Sequence, residues 1–320
     1  MNAAIVGCGN IAGFYDTPDS DEILTHAHAF ALCKITELIA CCDINEMSLQ
    51  KFSSVWRSDI RTYLSVDEML KKEDIDLLVI ASNTESHFDV LEKVLLKTDI
   101  KHIICEKPFV SNMREYSKIH ELIEKKNPNL LINFIRCFDP SINGVKKLLE
   151  KGKLGAVLGF SARVNKGLYH NGSHVLSLVE HFFGEINKFE ANGASVIDGD
   201  IYGSFWMQTK QTSGVLINFD SSEFSIFEME IVCQKGVIKI QKSGFDIRVY
   251  KAKESKKVKG TKELKLHKKY PNSLKYYAKN SLEFLLDKNS KEQLEKHLSI
   301  SSKLLKIREN LLKGESCNLQ

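Results

Sequence analysis

The 320-residue sequence is short of Pro (5) and holds only 18 Gly, with 43% hydrophobic and 27% charged residues. That balance excludes disordered, collagen-like and low-complexity chains. Its 8 Cys include no CxxC pair, and no His stands at zinc-finger spacing. A chain long enough for two cores, at about 150 residues each, needs no stapling, so the thiols are read as reduced and no structural zinc is expected. No apolar run nears the roughly 18 residues of a membrane span. The opening MNAAIVGCGN has no basic stretch before its apolar residues, so no leader is expected and the protein is read as soluble and cytoplasmic, without a membrane partner.

Charge of one sign is scarce too: 45 basic residues face 41 acidic ones, a net +4. The run from Lys251 to Lys269 alone holds nine Lys and two Glu, so the rest of the chain is slightly acidic. That excludes a surface built for nucleic acid, and the run is read as a solvated strand-to-helix excursion.

Four apolar runs suit strands covered on both faces: Ala3 to Val6, Leu38 to Cys42, Ile75 to Ala81 and Ile100 to Cys105. Helical patterns such as Asp67 to Lys71 and His87 to Leu96 lie between them, which predicts a doubly wound parallel sheet. From about residue 120 the texture changes. Helices near Ser117 to Lys126 and Ser141 to Lys151 lead into period-two runs at Tyr202 to Lys210, Val215 to Asp220 and Glu228 to Val232. Gly236 and the Thr212-Ser213-Gly214 stretch suit hairpin turns. Two helices close the chain, near Asn272 to Leu286 and Lys291 to Leu312. The expected fold is α/β: a Rossmann domain over 1–120, then an α+β domain over 121–320 with a large, mainly antiparallel open sheet.

Directly after the first run, Gly7-Cys8-Gly9-Asn10-Ile11-Ala12 reads G-x-G-x-x-A, where a tight turn brings backbone N–H groups to a pyrophosphate at a helix N-terminus. The second run ends at Asp43, whose carboxylate suits ribose hydroxyls and repels a 2′-phosphate, so NAD is expected as cofactor, with NADP still open. After the fourth run stands Glu106-Lys107-Pro108, at the end of a strand where open α/β sheets bind ligands.

Taken together, the G-x-G-x-x-A opening, the acid after strand two and the E-K-P resemble the Gfo/Idh/MocA family, named for glucose-fructose oxidoreductase and inositol dehydrogenase. Downstream, Asn133 to Pro140 (NFIRCFDP), Lys151 to Gly155 (KGKLG) and Gly172-Ser173-His174 look like further motifs of that family in order, over about residues 1 to 184. The resemblance implies hydride transfer between nicotinamide and a sugar or cyclitol, with Lys107 as proton-transfer group, a cis Lys107–Pro108 bond, and an open sheet that commonly forms a homodimer or homotetramer interface. Its breadth admits a nucleotide-linked sugar in polysaccharide biosynthesis. No metal is needed, because the cofactor takes the hydride and an amine the proton.

The sequence departs from the family at one place of consequence. Where family dehydrogenases often carry Asp, four residues before the G-x-H histidine, this chain has His170. Ser173 or Asn171 can cap a helix to Phe183 with Gly184 as its stop, and His174 in its first turn stays neutral at the positive helix end. The candidate catalytic residues are therefore Lys107, His174 and His170, with Arg136, Tyr169, Asn171 and His174 on the sugar. Cofactor contacts are expected from Gly7, Gly9, Asn10, Ile11, Ala12, Asp43, Ser82, Asn83, His87, Glu106 and Lys107. Thr25-His26-Ala27-His28 is read as a helix cap rather than a cover for the nicotinamide. Two alternatives remain: a catalytically silent, cofactor-bound regulator, and a glycosidase that uses NAD transiently.

Overall fold

The computed structural model describes residues 1–221, 223–271, 273–287 and 290–313, which form two compact units. The first holds residues 1–135 and 275–302; the second holds 136–274 and the chain from 303 onward. The first unit runs β1 (Asn2–Val6), α1 (His26–Leu32), β2 (Glu37–Cys42), α2 (Glu46–Trp56), β3 (Arg61–Tyr63), α3 (Val66–Lys72), β4 (Leu77–Ile80), α4 (Thr84–Lys97), β5 (His102–Cys105), α5 (Met113–Lys126) and β6 (Asn129–Ile132). Its six strands are all parallel, in the order β3-β2-β1-β4-β5-β6. Every residue of β4 is fully buried, so each of its Leu, Val and Ile side chains contributes about 1.5–3 kcal/mol.

The expected break at 120 falls inside α5, and β6 lies beyond it. Apolar Leu130 to Ile132 pairs with Ile103 to Cys105 and completes the parallel sheet. The three-residue edge strand β3 was also unforeseen, because Arg61-Thr62-Tyr63 carries no apolar run.

The second unit contains α6 (Pro140–Glu150), β7 (Val157–Asn165), α7 (Ser173–Phe183), β8 (Ile186–Ile197), β9 (Asp200–Thr209), β10 (Ser213–Phe219), β11 (Phe227–Cys233), β12 (Gly236–Gln241), β13 (Asp246–Glu254) and β14 (Lys262–Tyr270). They build an eight-stranded sheet, β14-β13-β12-β11-β7-β10-β9-β8, antiparallel except for the β7–β10 pair. α8 (Tyr277–Asp287) returns to the first unit, and α9 (Lys291–Leu312) is divided between the units at Ser302.

The lysine-rich run is a hairpin, not a strand-to-helix excursion. β13 and β14 pair antiparallel over it, with Leu264 and Leu266 alternating with Lys and His. β14 is the edge of the sheet, and Lys262, Lys268 and Lys269 are exposed along it, where charge discourages pairing with another chain. Among the described residues every Cys is free, and no helix is long and apolar enough to cross a membrane.

Candidate functional site

The ends of β1, β2 and β4 open on a cavity of about 610 Å³ whose lining includes Gly7, Gly9, Asp43, Ser82, Asn83 and Ser86. This is the size of pocket that holds a drug-sized ligand or part of a larger one, about 300–1,000 Å³. Gly7 sits at φ +90°, and a Cβ there would lie 2.4 Å from the Ser82 nitrogen. A Cβ on Gly9 would meet no atom within 4 Å, so the loop leaves its backbone open towards the cavity. A dinucleotide fits this cradle, because glycine bares the main chain where a pyrophosphate must approach.

The Asp43 carboxylate accepts the Cys8 N–H at 2.7 Å and the Asn45 N–H at 2.8 Å, so it holds the glycine loop as well as lining the cavity. Asp43→Ala is expected to weaken NAD binding about 10- to 100-fold, the worth of one hydrogen bond to a charged group, and to relax preference against NADP. Titration of each dinucleotide checks this; unchanged relative affinity overturns the ribose assignment.

The glycine loop does not lead into a long helix. Asn10–Phe14 is a single π-helical turn, closed by Tyr15 N–H on the Asn10 carbonyl at 3.0 Å, and α1 starts only at His26. The reason is the Phe14–Thr25 segment, which folds around Asp16. Asp16 accepts the Leu24 N–H at 2.6 Å, the Thr25 hydroxyl, and a bond from His28 Nδ1 at 2.8 Å. Thr25 caps α1, accepting the His28 N–H, as expected. His28 packs against Trp56, whose indole N–H donates to the Gly13 carbonyl at 2.8 Å. Asn10 is exposed, whereas Ala12 is fully buried.

Two other expected cofactor contacts are interior. Glu106 is buried, and its Oε1 takes His26 Nε2 at 2.9 Å and the Asn133 amide at 2.6 Å; Asn133 in turn accepts the Ser281 hydroxyl at 2.7 Å. Burial opposes ionisation of Glu106 most, yet His26, Asn133 and Lys107 hold its carboxyl below the ordinary range. His87 is also buried, with Nδ1 on the Pro108 carbonyl at 2.9 Å and Nε2 on the Ser82 carbonyl at 3.0 Å. It clamps the loop after β4 to the loop after β5. Between these anchors Lys107 is half-buried at the end of β5, and the Lys107–Pro108 peptide is cis.

Burial lowers the His87 pKa below the ordinary 6.5, against the pull of its carbonyl partners. The unfolded chain then binds the proton more readily, so stability falls as pH drops below 6.5 and levels off once the folded ring titrates. One such group changes stability by at most about 1.4 kcal/mol per pH unit. Thermal midpoints measured from about pH 8 to about pH 5 are expected to fall, and His87→Gln to flatten that acid limb; an equally steep limb in the variant counts against the clamp's titration.

In the second unit the predicted residues divide into two groups. Arg136 and His174 meet on one ring: the Arg136 guanidinium lies 3.8 Å from the Phe227 centroid, and His174 meets that ring edge-on at 6.4 Å. Arg136 also donates to the Ser243 carbonyl at 2.9 Å, and Ser243 has a left-handed backbone, φ 59°. The other group is Tyr169, His170 and Asn171, in a π-helical turn over Gly167–Gly172 that runs straight into α7.

That continuity corrects two expectations. Gly172, without a side-chain bond, precedes α7, so neither Ser173 nor Asn171 caps it; the Ser173 hydroxyl donates to the His170 carbonyl at 2.7 Å. The positive helix end lies at Gly167 rather than at His174, because the π turn extends the helical run. Ser177 and His174 are both buried in α7. Gly184 does end the helix, at φ 81°.

Sequence reasoning gave no role to Asp16, Trp56, Asn133, Asp200 or Phe227. Asn133 lay within a quoted motif, and Asp200 follows Asp198-Gly199, a hairpin signal.

A sequence profile described as the Gfo/Idh/MocA oxidoreductase family, NAD-binding Rossmann fold, matches residues 1–134. An uncharacterised oxidoreductase of Schizosaccharomyces pombe is 30% identical over 130 residues, 41% of this chain and 35% of that protein. Myo-inositol 2-dehydrogenase of Thermotoga maritima is 22% identical over 262 residues, 74% of each chain. The solved 3-ketoreductase of Actinomadura kijaniata, in complex with TDP-benzene and NADP, shares the fold at TM-score 0.73 and 17% identity, over 94% of each chain. The chain spans 35%, 42% and 38% of the first three curated relatives it matches.

Proposed function

We propose, for a chain whose residues 1–134 match the profile of the Gfo/Idh/MocA oxidoreductase family with its NAD-binding Rossmann fold, that it oxidises or reduces a carbohydrate or cyclitol at a single hydroxyl or ketone. The observation that carries this reading is the glycine-lined cavity with Asp43 at its wall, in a sheet whose neighbouring strand β5 ends in a half-buried lysine. Gly7, Gly9, Asp43, Ser82 and Asn83 would hold the dinucleotide. When bound, NAD supplies the hydride acceptor or donor, and the protein is left to manage the proton and the orientation.

Lys107 takes that proton role: its amine accepts the hydroxyl proton on oxidation and returns it on reduction. Glu106, anchored by His26 and Asn133, fixes the backbone from which the amine extends. Arg136 and His174, gathered on Phe227, bind and orient the sugar, and Tyr169, His170 and Asn171 contribute to its selection. Tyr169 or His170 stands in for the family's missing acid. A nucleotide-linked sugar is the finer form of this reading, favoured by the TDP ligand of the Actinomadura neighbour. The second sheet's open face, which exposes Val215, Val232, Leu264 and Leu266, supports a homodimer or homotetramer.

The test is to incubate the purified chain with NAD or NADP and a panel of cyclitols, hexoses, their phosphates and TDP-sugars. Net change at the nicotinamide band with a panel compound supports the proposal. Sugar cleavage without net change supports the transient-NAD glycosidase instead, and tight binding without turnover the regulator. A chain that binds neither dinucleotide sinks all three.

A further inference from the structure

The β8–β9 hairpin turns on Asp198 and Gly199, both left-handed at φ 49° and 78°, and pairs Ile197 with Asp200. This two-residue turn aims the Asp200 carboxylate into the π turn at Gly167–Gly172. Oδ1 accepts the Tyr169 N–H at 2.8 Å and the Ile201 N–H at 2.7 Å, while Oδ2 accepts the His170 N–H at 3.1 Å. The fit leaves no slack: a Cβ on Gly167 would fall 1.9 Å from Oδ2. Arg308 closes the arrangement, donating from Nε to the Gly199 carbonyl at 2.9 Å, with its guanidinium 5.1 Å from the Tyr169 ring centroid. Burial holds the Asp200 carboxyl above its ordinary range, against the pull of those N–H donors.

We infer that Asp200 is a positioning residue that sets the conformation of Tyr169 and His170 and so determines which polyol the site accepts. The inference rests on the sugar-selecting role proposed above for that turn. His170 fills the position where the family resemblance expects an acid. The acid of this chain instead arrives from a hairpin some thirty residues on, and its charge is spent on backbone N–H groups at the positive end of the helical run. Selectivity is then set through backbone shape rather than by a carboxylate on the substrate.

Asp200→Asn isolates the effect. An amide oxygen can keep the Tyr169 and Ile201 bonds, but its NH2 then faces the His170 N–H, donor against donor. In the full chain, hydrogen exchange of amides in 167–172 is expected to rise about tenfold, with the thermal midpoint little changed. The KM for the panel compound that the unmodified chain turns over is expected to rise about tenfold, while kcat and the KM for NAD change less than about threefold. Asp200→Ser, which removes the carboxylate from the Tyr169 and His170 N–H groups without adding bulk, should reproduce the KM effect and stands in if the Asn variant does not fold. Unchanged exchange in both variants overturns the positioning role, and faster exchange with an unchanged KM overturns the selectivity role. If the unmodified chain turns over no panel compound, the sugar reading fails and the exchange data alone decide the positioning.

Discussion

Lys107→Met is expected to leave NAD affinity within about threefold of the unmodified chain while lowering turnover by about 100- to 10,000-fold, the usual contribution of a positioned proton-transfer group. Met approximates the length and apolar stem of Lys, so packing at the half-buried end of β5 is kept and only the proton carrier is lost. Glu106, on the preceding residue, keeps its bonds to His26 and Asn133, so the backbone at residue 107 stays in place. The effect should appear in kcat and kcat/KM together, as when an interaction made in the transition state is removed. Steady-state rates at the nicotinamide band, with a parallel dinucleotide titration, check it. A near-normal rate would remove the amine from the mechanism and leave the cavity as a binding site alone.

Gly7→Ala carries the largest expected loss of stability. The residue is at φ +90°, and its new Cβ would lie 2.4 Å from Ser82 N, 2.5 Å from Ser82 Cα and 2.7 Å from the Ala81 carbonyl carbon. These are main-chain atoms, and Ala81 N–H is bonded to the Val6 carbonyl at 2.8 Å, so they cannot yield without opening the β1–β4 ladder. A left-handed alanine costs about 1–2 kcal/mol and overpacking about 1–3 kcal/mol, together about 2–5 kcal/mol. Displacing Ser82 also deforms the cavity wall, so NAD binding should fall too.

Gly9→Ala is the matching control. Its backbone is extended at φ −90°, and its Cβ would meet no atom, so stability should change by less than about 0.5 kcal/mol while the methyl intrudes where the dinucleotide lies. Urea unfolding and dinucleotide titration of both variants separate the two effects. Equal stability of Gly7→Ala and the unmodified chain would show that the strand ends are looser than this packing requires.

The parallel sheet was legible because a strand buried on both faces must be apolar at nearly every position, and β1, β2, β4 and β5 are. The glycine loop was legible for a related reason: only glycine tolerates φ +90° against a neighbouring main chain. α9 was predicted with its observed limits, since 22 residues of helical periodicity leave little ambiguity. β3 and β6 were missed or misassigned because three or four residues cannot display a period, and pairing with a sheet already formed decides their state. The basic hairpin was misread because charge repulsion is a local cue, whereas β14 is held by a ladder to β13 and β13 by one to β12.

The amino-acid order by itself determined the doubly wound sheet, the glycine loop, the acid after β2 and the lysine at the end of β5, all of which follow from burial and backbone sterics within a few residues. Only the tertiary structure decided that the Glu106 and His87 side chains are buried and held by hydrogen bonds within the protein, that Asp16 folds the segment between the glycine loop and α1, and that Asp200 occupies the start of the π turn. Each of those outcomes rests on hydrogen bonds between residues from 5 to 80 positions apart. Such partners carry no spacing rule, and they find one another only when the strands and turns that carry them have packed.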